Sequence, residues 1–215
     1  MSASPEKESR PLEQGGEKWD RPEPSSAVHT TTPLFPVKPP ADFKPLALEW
    51  AAAGFRVMPC APYSHAPLVP SGFAAASSDP DLVRLWWNIW PAANVAVATG
   101  RGLVGLRLNN PFAATLLNQA GASPKFLRRL SFSYPIRHHG RVYLFRSDAP
   151  VTSRLRVLHP RSHLRIFGEG DSLLVPPSRQ HSWTYSFPGR KPKVPPLASL
   201  APWAIIEPYL NGECK

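Results

Sequence analysis

The chain is poor in the side chains that staple small folds or hold metals. It has only two cysteines in 215 residues, Cys60 and Cys214. Two cysteines so far apart make neither a disulfide framework nor a Cys-rich zinc site, and free thiols fit a reducing compartment. No apolar run approaches the roughly 20 residues that span a bilayer, and the polar, acidic N-terminus does not read as a secretory signal. A cytoplasmic protein without membrane contact is expected. Acids are outnumbered: 15 Asp and Glu stand against 25 Lys and Arg, a net charge of +10. Between Arg101 and Lys193 there are 13 Arg and 3 Lys but only three acids, Asp148, Glu169 and Asp171. A carboxylate-rich catalytic centre has little to draw on there. A polyanion, most often nucleic acid, becomes the expected partner. There is no glycine-rich phosphate loop of the P-loop type, no recognisable Ser-His-Asp arrangement and no internal repeat.

What the chain has in excess is proline, 28 residues, gathered in its tails and loops. Residues 1–42 are rich in Pro, Glu and Ser, lack hydrophobic periodicity, and read as a disordered tail. A folded domain is expected over 43–212. Leu46 to Ala53 fits a helix that Gly54 stops. Phe55–Pro59 is a short strand. Ser78 or Asp79 caps a helix over Asp81–Trp90, with Pro80 in its first turn. Val95–Ala98 and Leu103–Leu108 are strands about the turn Thr99-Gly100-Arg101-Gly102. In the second of these, Val104, Leu106 and Leu108 face one way, and Gly105, Arg107 and Asn109 the other. Helices over Phe112–Gln119 and Pro124–Leu130 follow. After them come a strand at Val142–Phe145, partial alternation over Ser153–Arg165, strands at Leu173–Val175 and Trp183–Phe187, and a closing helix over Leu200–Leu210. The order is mixed α/β (α+β), with an α/β front and a strand-rich back.

From Leu46 to about Leu210 the chain resembles the N-terminal domain of bifunctional DNA primase–polymerases, in the archaeo-eukaryotic primase superfamily. The residues that carry the resemblance are, in order, Ala51-Ala52-Ala53-Gly54-Phe55, Ala66-Pro67-Leu68, Gly72 to Pro80, and Trp86-Trp87. They continue with Trp90 to Gly100, Gly140 to Phe145, Val175-Pro176-Pro177-Ser178, Trp183 and Tyr185. The resemblance implies a primase–polymerase fold, in which an α/β unit packs against an RRM-like, strand-rich unit with the active site between them. It also implies template-directed nucleotidyl transfer with Mg²⁺ or Mn²⁺, whose hard charge needs clustered carboxylates.

At the positions where the family carries those carboxylates, this chain has Arg107, Asn109 and Arg165. Val142 stands at the family's nucleotide-binding histidine, and Phe167 at a following arginine. No catalytic residue of the pattern is intact, and no metal or other cofactor is expected. The replacements make the site more positive. This leads to a catalytically inactive, nucleic-acid-binding accessory of replication, repair or mobile-element maintenance, acting on a single strand or a primer–template. The expected phosphate contacts are Arg101, Arg107, Arg137, His138, His139, Arg141, Arg154, Arg156 and Arg165. Phe132, Tyr134, Tyr143, Phe145, Phe167, Trp183 and Tyr185 lie among them, as base-stacking or core residues. Two alternatives stand beside this reading. One is a scaffold that recruits an active replication protein. The other is an enzyme with metal ligands relocated to Glu169, Asp171 or Asp148.

Overall fold

The structure, a computed structural model, describes residues 42–160, 162–189 and 193–211; the expected disordered tail therefore lies outside the described residues, apart from Asp42. Four helices share one device. Each carries proline in its first turn, where the missing N–H costs nothing and the fixed φ suits a helix start. They are α1 (Lys44–Ala52), α2 (Pro80–Ile89), α3 (Pro111–Gln119) and α4 (Pro124–Leu130). Three of them are capped by a side chain that accepts a bond from the first turn: Asp79 from Asp81, Asn110 from Ala113 and Ser123 from Phe126. Such caps satisfy amides that have no partner within the helix.

The strands are β1 (Val57–Cys60), β2 (Asn94–Ala98), β3 (Leu103–Leu108), β4 (Phe132–Pro135), β5 (Arg141–Arg146), β6 (Arg154–His159), β7 (Ser162–Phe167), β8 (Ser172–Leu174), β9 (Arg179–Gln180) and β10 (Trp183–Thr184). They form a three-stranded sheet in the order β1-β2-β8, a five-stranded sheet in the order β4-β5-β3-β7-β6, and the two-stranded pair β9-β10. All pairings are antiparallel. The last helix, α5, is Glu207–Asn211.

The period of two in β3 sorts the core. Val104, Leu106 and Leu108 join one apolar cluster with residues of α3, α4 and α5 and with Trp203. The opposite face of the same sheet supplies Leu103, Tyr134, Val142, Leu144 and Phe167 to a second cluster, shared with α1, α2 and the three-stranded sheet. The five-stranded sheet is thus covered on both faces. Trp50 and Trp87 are fully buried, and each indole N–H donates to a backbone carbonyl, of Pro176 and Ala93 respectively.

Two expectations are corrected, and one strand is added. The strand expected over Trp183–Phe187 pairs only at Trp183–Thr184 with β9, because Tyr185 turns inward. Its backbone N–H donates to the Ser178 carbonyl and its hydroxyl to Gln180 Oε1. The single closing helix is instead two short 3-10 turns, Leu197–Ser199 and Trp203–Ile205, followed by α5. Pro202 and Pro208 interrupt the amide ladder that one helix would need. Phe132–Pro135, where serine and proline dilute the strand pattern, is a strand at the sheet edge, where proline is tolerated.

One buried amide fastens the front of the molecule. Asn94 is completely buried. Its Nδ2 lies 3.2, 3.0 and 2.6 Å from the carbonyl oxygens of Ala61, Ser64 and Arg179, and its Oδ1 accepts the Arg179 N–H at 2.7 Å. It joins the 61–64 loop, β2 and β9. Asn94→Ala leaves these groups buried and unpaired and is expected to destabilise by about 2–3 kcal/mol, measured by urea denaturation; a loss within experimental error would show that Asn94 does not fasten these segments.

Candidate functional site

The site grows from the register of three strands. Arg107 on β3 stands between Val142 on β5 and Arg165 on β7, as direct Cα partners. Residues directly opposite in an antiparallel pair share a face, so Arg107 and Arg165 emerge together. Two residues further along β7, Phe167 lies on the same face and is buried. Its ring lies beneath both guanidinium groups, 5.3 Å from Arg107 Cζ and 4.4 Å from Arg165 Cζ. The electron-rich ring face attracts both cations. Gly105, the partner of Phe167, keeps space open on β3, because a Cβ there would collide with the Leu173 side chain.

The two arginines differ in their compensation. Arg165 Nη2 forms an ion pair with Asp171 Oδ2 at 2.7 Å. Arg107 is half-buried, and its Nε is enclosed without a hydrogen-bond partner. Burial first, and the Arg165 charge second, lower the Arg107 pKa from the ordinary arginine value; Tyr185, Tyr134 and Asp171 work the other way. Partial burial and the Arg107 charge likewise lower the pKa values of His65 and His163.

A cavity of about 440 Å³ opens over this face, lined in part by Arg107, Asn109, Arg137, His138, His163 and Trp183. Trp183 Nε1 is a second buried donor without a partner. Two enclosed donors without a hydrogen-bond partner thus belong to residues that line one cavity, and one of them is part of a cation.

The expected contacts do not form one surface. Arg107, Arg165, Arg137 and His138 gather at this cavity or on its strand face. His139 and Arg141 line a different cavity, together with Leu108, whose side chain belongs to the opposite face of the sheet. Arg154 and Arg156 pair with Ile166 and Leu164, so they share that opposite face at the edge strand, and Arg156 Nη1 donates to the Leu210 carbonyl at 2.6 Å. Arg101 occupies the turn before β3 with φ of 45°. It lies at the far end of the strand, roughly 20 Å from Arg107 at about 3.3 Å per residue. Sequence alternation separates faces within a strand, but only pairing reveals which residues of other strands share them. His65, His163 and Gln180 were not anticipated at the site; they arrive from loops and strand ends that carry no periodic signal.

The family positions have other work here. Asn109 Oδ1 accepts the His163 N–H at 2.8 Å and so ties the end of β3 to the start of β7. Val142 is buried in the core and offers no polar contact. Of the aromatic residues expected to stack or pack, Tyr134, Tyr143, Phe145, Phe167 and Tyr185 are buried, and the half-buried Trp183 lines the cavity. The three acids of the relocated-metal alternative are dispersed. Asp171 pairs with Arg165, Glu169 Oε1 accepts the Arg101 N–H, and Asp148 pairs with Arg146. Among the described residues no group of three His, Cys, Asp or Glu side chains is placed to hold a metal ion. Arg107, Asn109 and Arg165, expected at metal-binding positions, do not fit a divalent cation, because two guanidinium groups repel it and one neutral amide is a weak ligand.

A family model for the bifunctional DNA primase/polymerase N-terminal domain matches residues 47–203. The chain belongs to that family, whose theme is primase- and polymerase-like work on nucleic acid. No curated protein matches the chain. Among the described residues no helix is long and apolar enough to cross a membrane.

Among the described residues Arg107 forms no ion pair, and its partly enclosed charge is offset only by the Phe167 ring and by the more distant Asp171, Tyr134 and Tyr185. Arg107→Met, which keeps the stem and removes the guanidinium, is expected to stabilise the fold by about 1–2 kcal/mol, read as a raised urea midpoint with unchanged slope. A lowered midpoint would mean that the guanidinium is a structural group.

Proposed function

We propose that this protein is a primase–polymerase-like domain that has exchanged metal-dependent catalysis for direct binding of nucleic-acid phosphates. The observation that carries the proposal is the Arg107–Arg165 pair over Phe167, at the positions matched to the family's acids, with the Arg107 Nε itself and the nearby Trp183 Nε1 left without partners. A guanidinium recognises a phosphate through parallel N–H donors and keeps its charge at any physiological pH. In the metal-dependent enzymes of the family a dication stands between protein and phosphate; here the protein side is itself cationic.

The domain spans 43–212, preceded by the acidic tail. The helices α3 and α4 follow β3, the strand order around β3 is β4-β5-β3-β7, and helices cover one face. These features support an RRM-like reading of the five-stranded unit. Trp183 is the residue at the cavity best suited to stack on a base. The ligand is a single strand or primer–template, and binding needs no divalent metal. The dispersal of Glu169, Asp171 and Asp148 weighs against a relocated catalytic centre.

Two substitutions and a salt series test this reading. The full chain is expected to bind a single-stranded oligonucleotide with an affinity that falls steeply with salt. Arg107→Gln with Arg165→Gln should weaken binding at least tenfold and reduce the magnitude of the log–log salt slope by about 0.7 for each phosphate that is no longer neutralised. Affinity that is flat with salt, or unchanged in the double variant, would overturn the proposal.

A further inference from the structure

The second cavity lies on the other side of the five-stranded sheet and also measures about 440 Å³. It is built between α3, α4 and the adjoining ends of β3 and β5. Its lining combines the apolar groups of Leu108, Pro111 and Ala114 with the polar Asn110, Thr115 and Asn118 and with Arg128, Arg141 and Tyr143; Leu108 and Arg141 are direct strand partners and share a face. The Arg137–His139 turn divides it from the first cavity, since Arg137 and His138 line one and His139 the other. Gly140 holds that turn against the end of β3, where a Cβ would stand 2.6 Å from the carbonyl oxygens of Leu108 and Asn109.

Its charge is one-sided. Among the described residues neither Arg128 nor Arg141 belongs to an ion pair. Arg128 Nε donates to the Pro124 carbonyl at 3.2 Å and Arg141 Nη1 to Ser133 Oγ at 3.2 Å, both neutral acceptors. Burial lowers the Arg141 pKa, the Tyr143 phenol opposes the shift and Arg128 adds to it; no carboxylate acts on it appreciably. The Tyr143 ring is held in the core, and burial raises its pKa while Arg141 and Arg128 pull it down. Its hydroxyl therefore stays protonated and can donate. Two arginines and a tyrosine line a recess that has the volume of a small-molecule site, with apolar groups beside them. Inorganic phosphate would leave those apolar groups uncovered, whereas an organic phosphate can cover them.

We infer that this cavity is a second anion site that takes the phosphate of a nucleotide, with the phosphate on Arg128, Arg141 and Tyr143 and the organic part along Leu108, Pro111 and Ala114. It is distinct from the Arg107 site and does not depend on the reading of that site. The phosphate comes from a free mononucleotide or from the end of a strand, and the chemistry of capture is the same.

Calorimetric titration of the full chain with dAMP tests it. Wild type is expected to bind dAMP more tightly than inorganic phosphate. Arg128→Gln, at an exposed position that cannot unfold the domain, should weaken dAMP binding at least fivefold. Tyr143→Phe, which keeps the buried ring, should weaken it severalfold, and Arg107→Gln should leave it within twofold. Competition with a 5′-phosphorylated oligonucleotide but not its 5′-hydroxyl form would identify a strand end as the source; competition by neither would identify the free nucleotide. Absence of dAMP binding to wild type, or binding lost with Arg107→Gln and retained with Arg128→Gln, would overturn the inference. Salt-dependent strand binding governed by Arg107 and Arg165 is measured separately, so either site can fail without the other.

Discussion

Two like charges held side by side across the β3–β7 pairing define this molecule. Arg107 and Arg165 are direct strand partners, an arrangement that opposes folding unless something offsets the repulsion. Phe167 offers its ring face to both cations, and Asp171 neutralises one of them. The remainder is left on Arg107, whose Nε has no partner. An enclosed donor without a partner is the feature on which the proposed phosphate site rests.

The same register brings Arg107 and Arg165 together, with Asn109 at the end of β3. A polymerase-type centre needs acidic oxygens projecting from neighbouring strands onto one face, and the groups here are guanidinium, guanidinium and amide. Asn109 has been drawn into joining β3 to β7, and Val142 into the core. Each of the three acids of this half is committed to a separate local partner. Restoring one acid would therefore leave it beside a cation; the centre differs by its whole electrostatic balance and not by one residue.

Much of this was legible in the sequence because the signals were local. The cap at Ser78 or Asp79, which the structure resolves to Asp79, the proline in that helix's first turn, and the alternation in Leu103–Leu108 each need only a few residues, and the family motifs lie on those elements. Two motif positions assigned Arg107 and Arg165 to one site; that they are direct strand partners came from the structure. What could not be read depends on contacts between distant segments. Arg141 and Arg165 look equivalent in sequence, yet β5 and β7 direct them to opposite faces of the sheet. Trp183–Phe187 alternates like a strand, but Tyr185 is drawn inward by Gln180 and the core. The two cavities on either side of the His138–His139 turn have no counterpart in any one stretch of sequence.

The central claim is that protein cations, and not a bound metal, receive the phosphate. Its most direct test is the affinity of the full chain for a single-stranded oligonucleotide in EDTA and in Mn²⁺ at matched ionic strength, with nucleotide incorporation on a primed template followed in the Mn²⁺ samples. The expected result is binding at least as tight in EDTA as in Mn²⁺, with no template-dependent incorporation. Binding that requires Mn²⁺, or incorporation that follows the template, would contradict the account.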